Sequence, residues 1–387
     1  MGDKVSLTAV LGPTWPVLVI GFLTALAATP IARKLAFRFQ ILDMPNDTVK
    51  IHKKPTAYLG GMAVLAGFFV AVLAGFFYCL KGSPAADQYR VVFAICIGAI
   101  LSAIVGLIDD IKDLRPWKKL LGQAVCSLFL MLGNVKPDLK PIFDYFHIQI
   151  SPDVLNILSY LIILFFVLGA TNSLNLLDGL DGLCTGVTAI ITIGFLILEI
   201  HLATWATDSE IDPIRMIVAM ALAGSALGFL LFNRHPARIF LGDAGSILLG
   251  FIIAAMMMLF FGQNVRWWLA SIVIFGLPIL DTGTALIRRA LNHRPLFVSD
   301  RGHIYDQMID RGMSLWGTVM TNYALAGMYA VLGILSAIFL HTWQALIFDL
   351  VLLVVSFSVI GFKGYFRMEG YRGAVSTKKA GNQTISK

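Results

Sequence analysis

The chain has 387 residues, of which 58% are hydrophobic and only 14% charged, and its mean hydropathy is +0.80. This excludes an ordinary soluble domain, in which about a quarter of residues are charged. The net charge of +7 points to a basic face against anionic lipid headgroups and away from nucleic acid.

Apolar stretches of about twenty residues, enough to cross a hydrocarbon core as a helix, recur along the whole sequence. About eleven are predicted, near residues 15–32, 59–80, 92–108, 119–134, 154–170, 183–200, 214–232, 244–262, 267–287, 316–340 and 343–362. The expected fold is all-α, a multi-pass membrane protein. Arg33, Lys34 and Arg38 follow the first stretch rather than preceding it, so it reads as an anchor and not a cleavable leader. One alternating set of connections, together with the tail, holds 23 of the 30 basic residues. Basic loops stay on the cytoplasmic side, which predicts an external N-terminus and a cytoplasmic C-terminus. Residues 1–362 read as one membrane domain, and residues 363–387 as a cytoplasmic tail too polar to hold a fold. Cys79, Cys96, Cys126 and Cys184 lie in or beside apolar segments with no CxxC spacing and read as buried thiols. Asp349 is the clearest charge inside a predicted span, where local pairing or protonation is expected.

Acidic groups are costly at membrane depth, so their clustering at the ends of apolar segments draws attention. The weaker first cluster, DMPNDTVKIHKKPTAYLGG, carries Asn46, Lys50, His52 and Lys53 before Gly60–Gly61. In GLIDDIKDL, Asp109 and Asp110 stand side by side. Neutralisation by a proton or by a hard divalent cation, Mg²⁺ or Mn²⁺, makes such a pair tolerable; a solvated loop paired to Lys112 and Arg115 also accommodates it. TNSLNLLDGLDGLCTG places Asn172, Asn175 and Asp178 on one face if the segment stays helical, and Gly179 and Gly182 allow a turn that brings Asp181 round. In RIFLGDAGSILLG, Asp243 opens a helix whose free N–H groups attract phosphate, or serves as a plain N-cap. The last large loop carries Arg288, Arg289, Arg294 and Arg301 near His303, groups suited to phosphate. All of these fall on the predicted cytoplasmic side, as expected of a site for a metal ion and a diphosphate.

The Asp109–Asp110 pair, the NxxNxxDGLDGL run from Asn172 to Leu183, and IFLGDAGS from Ile239 to Ser246 resemble the polyprenyl-phosphate N-acetylhexosamine-1-phosphate transferases of glycosyltransferase family 4. That family includes the phospho-MurNAc-pentapeptide translocase. Pro45–Asn46, Lys50–Ile51–His52 and the run from Arg289 to His303 are similar to the branch that transfers GlcNAc-1-phosphate. The resemblance implies an eleven-helix membrane fold with its active site at the cytoplasmic face of the cell membrane. It implies Mg²⁺, with Mn²⁺ as a substitute, a UDP-sugar donor, undecaprenyl phosphate as acceptor and UMP as leaving group. It gives catalytic roles to Asp109, Asp110, Asp178 and His303, and metal ligation to Asp110, Asp178 and Asp243. Substrate contacts fall to Asn172, Asn175, Asp181, Lys119, His52 and Arg301, and a homodimer is a compatible assembly.

Two departures stand out. The branch's HxHH reads His303-Ile304-Tyr305-Asp306 here, and its PxxGG reads Ala57-Tyr58-Leu59-Gly60-Gly61. The translocase's triple-histidine loop is absent, which argues against a peptide-bearing donor. An ion-coupled transporter is the competing class, disfavoured because polar groups that would line a midplane path are few.

Overall fold

The computed structural model describes residues 6–44, 55–80, 86–145, 147–205, 212–262, 264–295 and 302–367. The elements in order are α1 (Leu7–Leu11), α2 (Trp15–Arg38), β1 (Leu42–Asp43), β2 (Thr56–Ala57), α3 (Gly60–Cys79), α4 (Ala86–Lys112), α5 (Pro116–Leu132), α6 (Lys140–Tyr145), α7 (Pro152–Leu177) and α8 (Leu183–Trp205). They continue with α9 (Pro213–Asn233), α10 (Gly242–Phe261), α11 (Val265–Ile274), α12 (Gly276–Leu291), α13 (Ile304–Asp310), α14 (Leu315–Phe339) and α15 (Thr342–Phe362). Among the described residues, nine helices are long and apolar enough to cross a bilayer, or ten if the bent pair α11 and α12 is one span. The chain is therefore an all-α, multi-pass membrane protein. The 17-residue α5 lies at the short end of what can cross.

Helix α10 is the axis of the bundle. All its residues except Asp243 and Leu259 are buried, as its all-round apolarity requires, and α4, α7 and α3 surround it. Helix α15, by contrast, turns nearly all its side chains outward, which in a bilayer means toward lipid.

Two expectations need correction. The predicted span 267–287 is broken: α11 and α12 meet at 66°. Pro278 has no N–H to donate one turn back, and a Cβ on Gly276 would lie 2.5 Å from the Tyr329 ring. The tail is packed at its start, because Gln307 Nε2 donates to the Tyr365 carbonyl at 2.9 Å and Arg311 Nη1 to that of Lys363 at 2.9 Å. Residues 368–387 lie outside the described residues. Asp349 is half-buried, and neither carboxylate oxygen has a hydrogen-bond partner among the described residues, so of the two expected alternatives, local pairing or protonation, the first is not formed. Two further buried charges, Glu199 and Arg215, pair inside the bundle at 2.7 Å.

A short hairpin, β1 against β2, and the chain entering α10 lock two helix starts together. Phe240 N donates to the Ala57 carbonyl at 2.9 Å, while Gly60 and Gly61 N donate to the carbonyls of Phe240 and Leu241 at 3.0 and 2.8 Å. A Cβ at Gly61 would fall 2.1 Å from the Gly245 amide nitrogen, so the second glycine of the pair is what lets α3 meet α10. This junction fixes the end of α10 that carries Asp243.

Candidate active site

The C-terminal ends of α4, α7, α9 and α12 and the N-terminal ends of α5, α8 and α10 supply the motif residues. Polar residues at the ends of apolar runs continue the helices here: α4 reaches Lys112 and α7 reaches Leu177, further than hydropathy alone indicates. Asp109, Asn172 and Asn175 therefore sit on rigid helix rather than on loop.

Lys119, in the first turn of α5, is the hub. Its Nζ donates to Asp243 Oδ2 at 2.6 Å and Asn175 Oδ1 at 2.9 Å, and lies 2.8 Å from Asp109 Oδ2. One ammonium thus joins three helices and uses all three of its protons. Asn175 Nδ2 returns two bonds, to Asp243 Oδ1 at 2.6 Å and Ser246 Oγ at 3.0 Å. One turn further along, Gln123 Oε1 accepts from Asn172 Nδ2 at 2.8 Å. Residues 119 and 123 are one helical turn apart on α5 and face residues 175 and 172 on α7, giving two rungs between these helices.

Asp110 is placed differently from expectation. Its Oδ1 accepts from the amide of Asp243 at 2.8 Å and its Oδ2 from that of Ala244 at 3.0 Å. The N-terminal amides of α10, expected to face a phosphate, are thus taken by a carboxylate from α4. This stabilises the helix end by the same dipole argument that pointed to phosphate. Gly242, at φ +75°, makes the turn, and a Cβ there would press on the Asp110 carboxylate at 2.8 Å.

Asp178 terminates α7. Burial first, then the nearby Asp243 and Asp110 carboxylates, hold it well above the usual carboxylate range. Tyr58 is likewise pushed up, by burial and then by Asp110, Asp243 and Asp178, which places the segment before α3 against the same acidic group. Asp181 turns toward the α9–α10 connection, where its Oδ2 meets His235 Nδ1 at 2.8 Å and accepts from Ala237 N at 3.0 Å.

His303 is a buried residue, 4% exposed, with Nδ1 2.7 Å from Asp281 Oδ2, while Asp281 Oδ1 accepts from Ile304 N at 2.7 Å. Burial works to lower its pKa, but Asp281 outweighs it and the ring titrates above its ordinary value. Tyr305 stacks on His303 at 5.6 Å, donates from its hydroxyl to the Leu176 carbonyl at 3.0 Å, and packs over Gly179. The departure from HxHH is therefore a strut from the last loop to the end of α7. His52 and Arg301 lie outside the described residues.

The structure thus brings Asp109, Asp110, Lys119, Asn175, Asp178 and Asp243 together, and sets Asn172, Asp181 and His303 around them on their own partners. Sequence reasoning missed Gln123, Asp281 and Ser246. Gln123 was signalled by its spacing from Lys119, and Asp281 by being a carboxylate inside an apolar run.

The donor set fits a hard divalent cation: oxygen ligands only, and four neighbouring carboxylates of which two, Asp109 and Asp243, share a single lysine. As the side chains stand, no group of three or more His, Cys, Asp or Glu among the described residues already has the arrangement of a metal shell, because Lys119 and the α10 amides occupy the inward oxygens of Asp109, Asp110 and Asp243.

Residues 92–261 match the model of glycosyl transferase family 4, and this segment contains Asp109, Lys119, Asn175, Asp178 and Asp243. A probable undecaprenyl-phosphate N-acetylglucosaminyl 1-phosphate transferase of Bacillus subtilis is 29% identical over 345 residues, covering 87% of this chain and 88% of that protein. A decaprenyl-phosphate N-acetylglucosaminephosphotransferase of Mycobacterium leprae is 28% identical over 339 residues, 81% of each. A phospho-N-acetylmuramoyl-pentapeptide-transferase of Bacillus thuringiensis is 29% identical over 340 residues, 81% of this chain and 95% of that one. The match to glycosyl transferase family 4 thus covers the stretch of the chain that carries the acidic cluster.

Proposed function

We propose that the protein transfers GlcNAc-1-phosphate from UDP-GlcNAc to a polyprenyl phosphate, undecaprenyl phosphate in the first instance, releasing UMP. The observation that carries this reading is the convergence of Asp109 and Asp243 on Lys119, and of Asn175 on Lys119 and Asp243, with Asp178 beside Asp243 and Asp110 at these helix ends, in a chain whose relatives over most of its length carry that activity in their names. The basic connections put this face in the cytoplasm, where nucleotide sugars are found. With α5 counted, the spans number eleven and the termini fall on opposite sides.

Phosphoryl transfer needs positioning and charge neutralisation more than covalent help. An oxygen of the lipid phosphate attacks the β-phosphorus of the donor, the bond from that phosphorus to the bridging oxygen breaks, and UMP departs with the electron pair. Asp178 and Asp243, with Asp110 behind them, would hold Mg²⁺ or Mn²⁺, and a bound cation supplies Lewis-acid neutralisation of the diphosphate. Lys119 keeps Asp109 and Asp243 apart yet aimed at one point, and its charge attracts the incoming phosphate. Asp110 holds the start of α10 so that Asp243 projects from a fixed helix end. Asp178, which like Asp110 is not engaged by Lys119, is best placed to take a proton from the acceptor phosphate or to hold the cation. Asn175 orients Asp243, and the 302–310 segment, tied to α7 through Tyr305, bounds the site on the side of Gly179.

The test is incubation of purified protein with undecaprenyl phosphate, Mg²⁺ and a panel of UDP-sugars, reading UMP release. UDP-GlcNAc is expected to be the donor, and the Asp178→Asn variant to release no UMP. Preference for UDP-MurNAc-pentapeptide would instead favour the translocase-type reading, which the similarity to the Bacillus thuringiensis protein keeps in view.

A further inference from the structure

The turn between α7 and α8 carries both Asp178 and Asp181, and each of its ends is held by a tyrosine more than a hundred residues away in the chain. Leu176 lies in the last turn of α7, where a helix leaves its carbonyls without intrahelical partners, and the Tyr305 hydroxyl donates to its carbonyl at 3.0 Å. At the other end Gly182, at φ +78°, turns the chain into α8. Its carbonyl accepts from the Tyr323 hydroxyl of α14 at 2.7 Å and from Gly186 N at 2.8 Å. The neighbouring glycines lie where these rings approach: a Cβ at Gly179 would collide with the Tyr305 hydroxyl, and one at Gly186 with that of Tyr323. Neither glycine has a positive φ, so each supplies room for a ring rather than backbone freedom. Both tyrosines lie beyond residues 92–261; the later part of the chain thus reaches back to the motif.

We propose that Tyr305 and Tyr323 are positioning residues that fix the Asp178–Asp181 turn, one hydroxyl bearing on the backbone carbonyl at each end. The proposal rests on the transferase reading above and adds how two of its carboxylates are held in place. A displacement of about 1 Å at a reacting group can cost about a hundredfold in rate, so a turn joining two helix ends has to be held from outside itself. Tyr305 reaches Asp178 most directly, through Leu176 and Gly179 on either side of it. Tyr323 acts through Gly182, which adjoins Asp181. Tyr305 is itself fixed, stacked on His303 with 10° between the rings and flanked by Ile304 N, which donates to Asp281 Oδ1 at 2.7 Å.

The experiment uses the full chain in phosphatidylcholine nanodiscs and compares Tyr305→Phe and Tyr323→Phe with Tyr329→Phe. Phenylalanine keeps each ring against its glycine and removes only the hydroxyl. Tyr329, also on α14, donates to Ser356 Oγ of α15 at 2.6 Å, so its variant controls for the loss of one tyrosine hydrogen bond away from the motif. Amide hydrogen exchange in the peptide spanning residues 176–186 reports the turn itself; Mn²⁺ affinity and the kinetics of UMP release report its consequences. Tyr305→Phe should speed exchange and weaken Mn²⁺ binding by about fivefold, the factor of one lost hydrogen bond, with kcat falling at least as far. Tyr323→Phe should speed exchange in the same peptide and raise KM for UDP-GlcNAc more than it weakens Mn²⁺ binding. Tyr329→Phe should leave the peptide's exchange, the Mn²⁺ affinity and both kinetic constants unchanged. Parental exchange in both Tyr305→Phe and Tyr323→Phe, or equal effects in Tyr329→Phe, would overturn the assignment. Absence of turnover in the unmodified chain would strike at the transferase reading instead, and the exchange measurement then decides the role of the tyrosines by itself.

Discussion

Replacing Lys119 with Met keeps the length of the side chain and removes its charge. Three bonds are lost at once, to Asp243, Asn175 and Asp109 at 2.6, 2.9 and 2.8 Å, and the carboxylates of Asp109 and Asp243, from two different helices, are left facing one another. The lysine side chain is only 14% exposed, so water compensates little. Breaking a buried ion pair by deleting one partner costs about 3–5 kcal/mol, equivalent to a fall of roughly 4–6 °C in melting temperature for a chain of this size. The deletion also leaves the cluster more negative, so a divalent cation should recover more stability in Lys119→Met than in the unmodified protein. Lys119→Arg restores the charge, but a planar fork cannot reach three acceptors arranged around one ammonium; it should recover stability without recovering turnover. The assay is thermal unfolding in detergent with EDTA or with Mg²⁺, alongside UMP release. A Lys119→Met protein that melts within about 1 °C of the parent in EDTA and responds no more strongly to Mg²⁺ would refute the hub role.

Other substitutions separate architecture from chemistry. Asp110→Asn turns one acceptor into a donor against the amides of Asp243 and Ala244; it should cost about 1–3 kcal/mol and abolish transfer, and unchanged stability by thermal melting would contradict the capping role. Gly61→Ala forces a methyl onto the Gly245 backbone, so yield and melting temperature should both drop. Recovery of well-folded protein at parental yield would show that the α3–α10 junction can move. For His303, whose folded pKa is raised by Asp281, the stabilisation from pairing is fully present below the unfolded value of about 6.5 and is lost as pH rises through the raised folded value. Asp281→Asn should accordingly lower the melting temperature most near pH 6, with the gap to the parent narrowing toward pH 9; a pH-independent gap would contradict an ionised pair.

Hydropathy located the helices because a span must be continuously apolar to satisfy its backbone in lipid, and that constraint is local. It was weakest where helices continue on polar residues, as in the last turn of α7, and where a proline divides one apolar run into two directions, as at Pro278. The carboxylates were legible as a set because charge at the ends of apolar runs is costly and so conspicuous. Their partners were not. Nothing in the vicinity of Lys119 in the sequence shows that its three acceptors lie on α4, α7 and α10, and nothing around Asp110 shows that it caps a helix 133 residues away. Those facts depend on how the bundle closes, through glycine contacts such as Gly61 on Gly245 that hydropathy does not register. Buried charges such as Glu199, Arg215 and Asp281 escaped notice for a related reason: pairing in three dimensions makes them tolerable inside the bundle.

The central claim is that carboxylates from α4, α10 and the end of α7 form one divalent-cation site at one end of the bundle. Mn²⁺ titration followed by electron paramagnetic resonance tests it most directly, because free Mn²⁺ gives a sharp six-line signal that binding broadens. One Mn²⁺ should bind per chain, and binding should be lost in Asp178→Asn and in Asp243→Asn while Asp181→Asn, whose carboxylate is held by the 235–237 segment, retains it. Parental Mn²⁺ binding in folded Asp178→Asn and Asp243→Asn proteins would contradict the account.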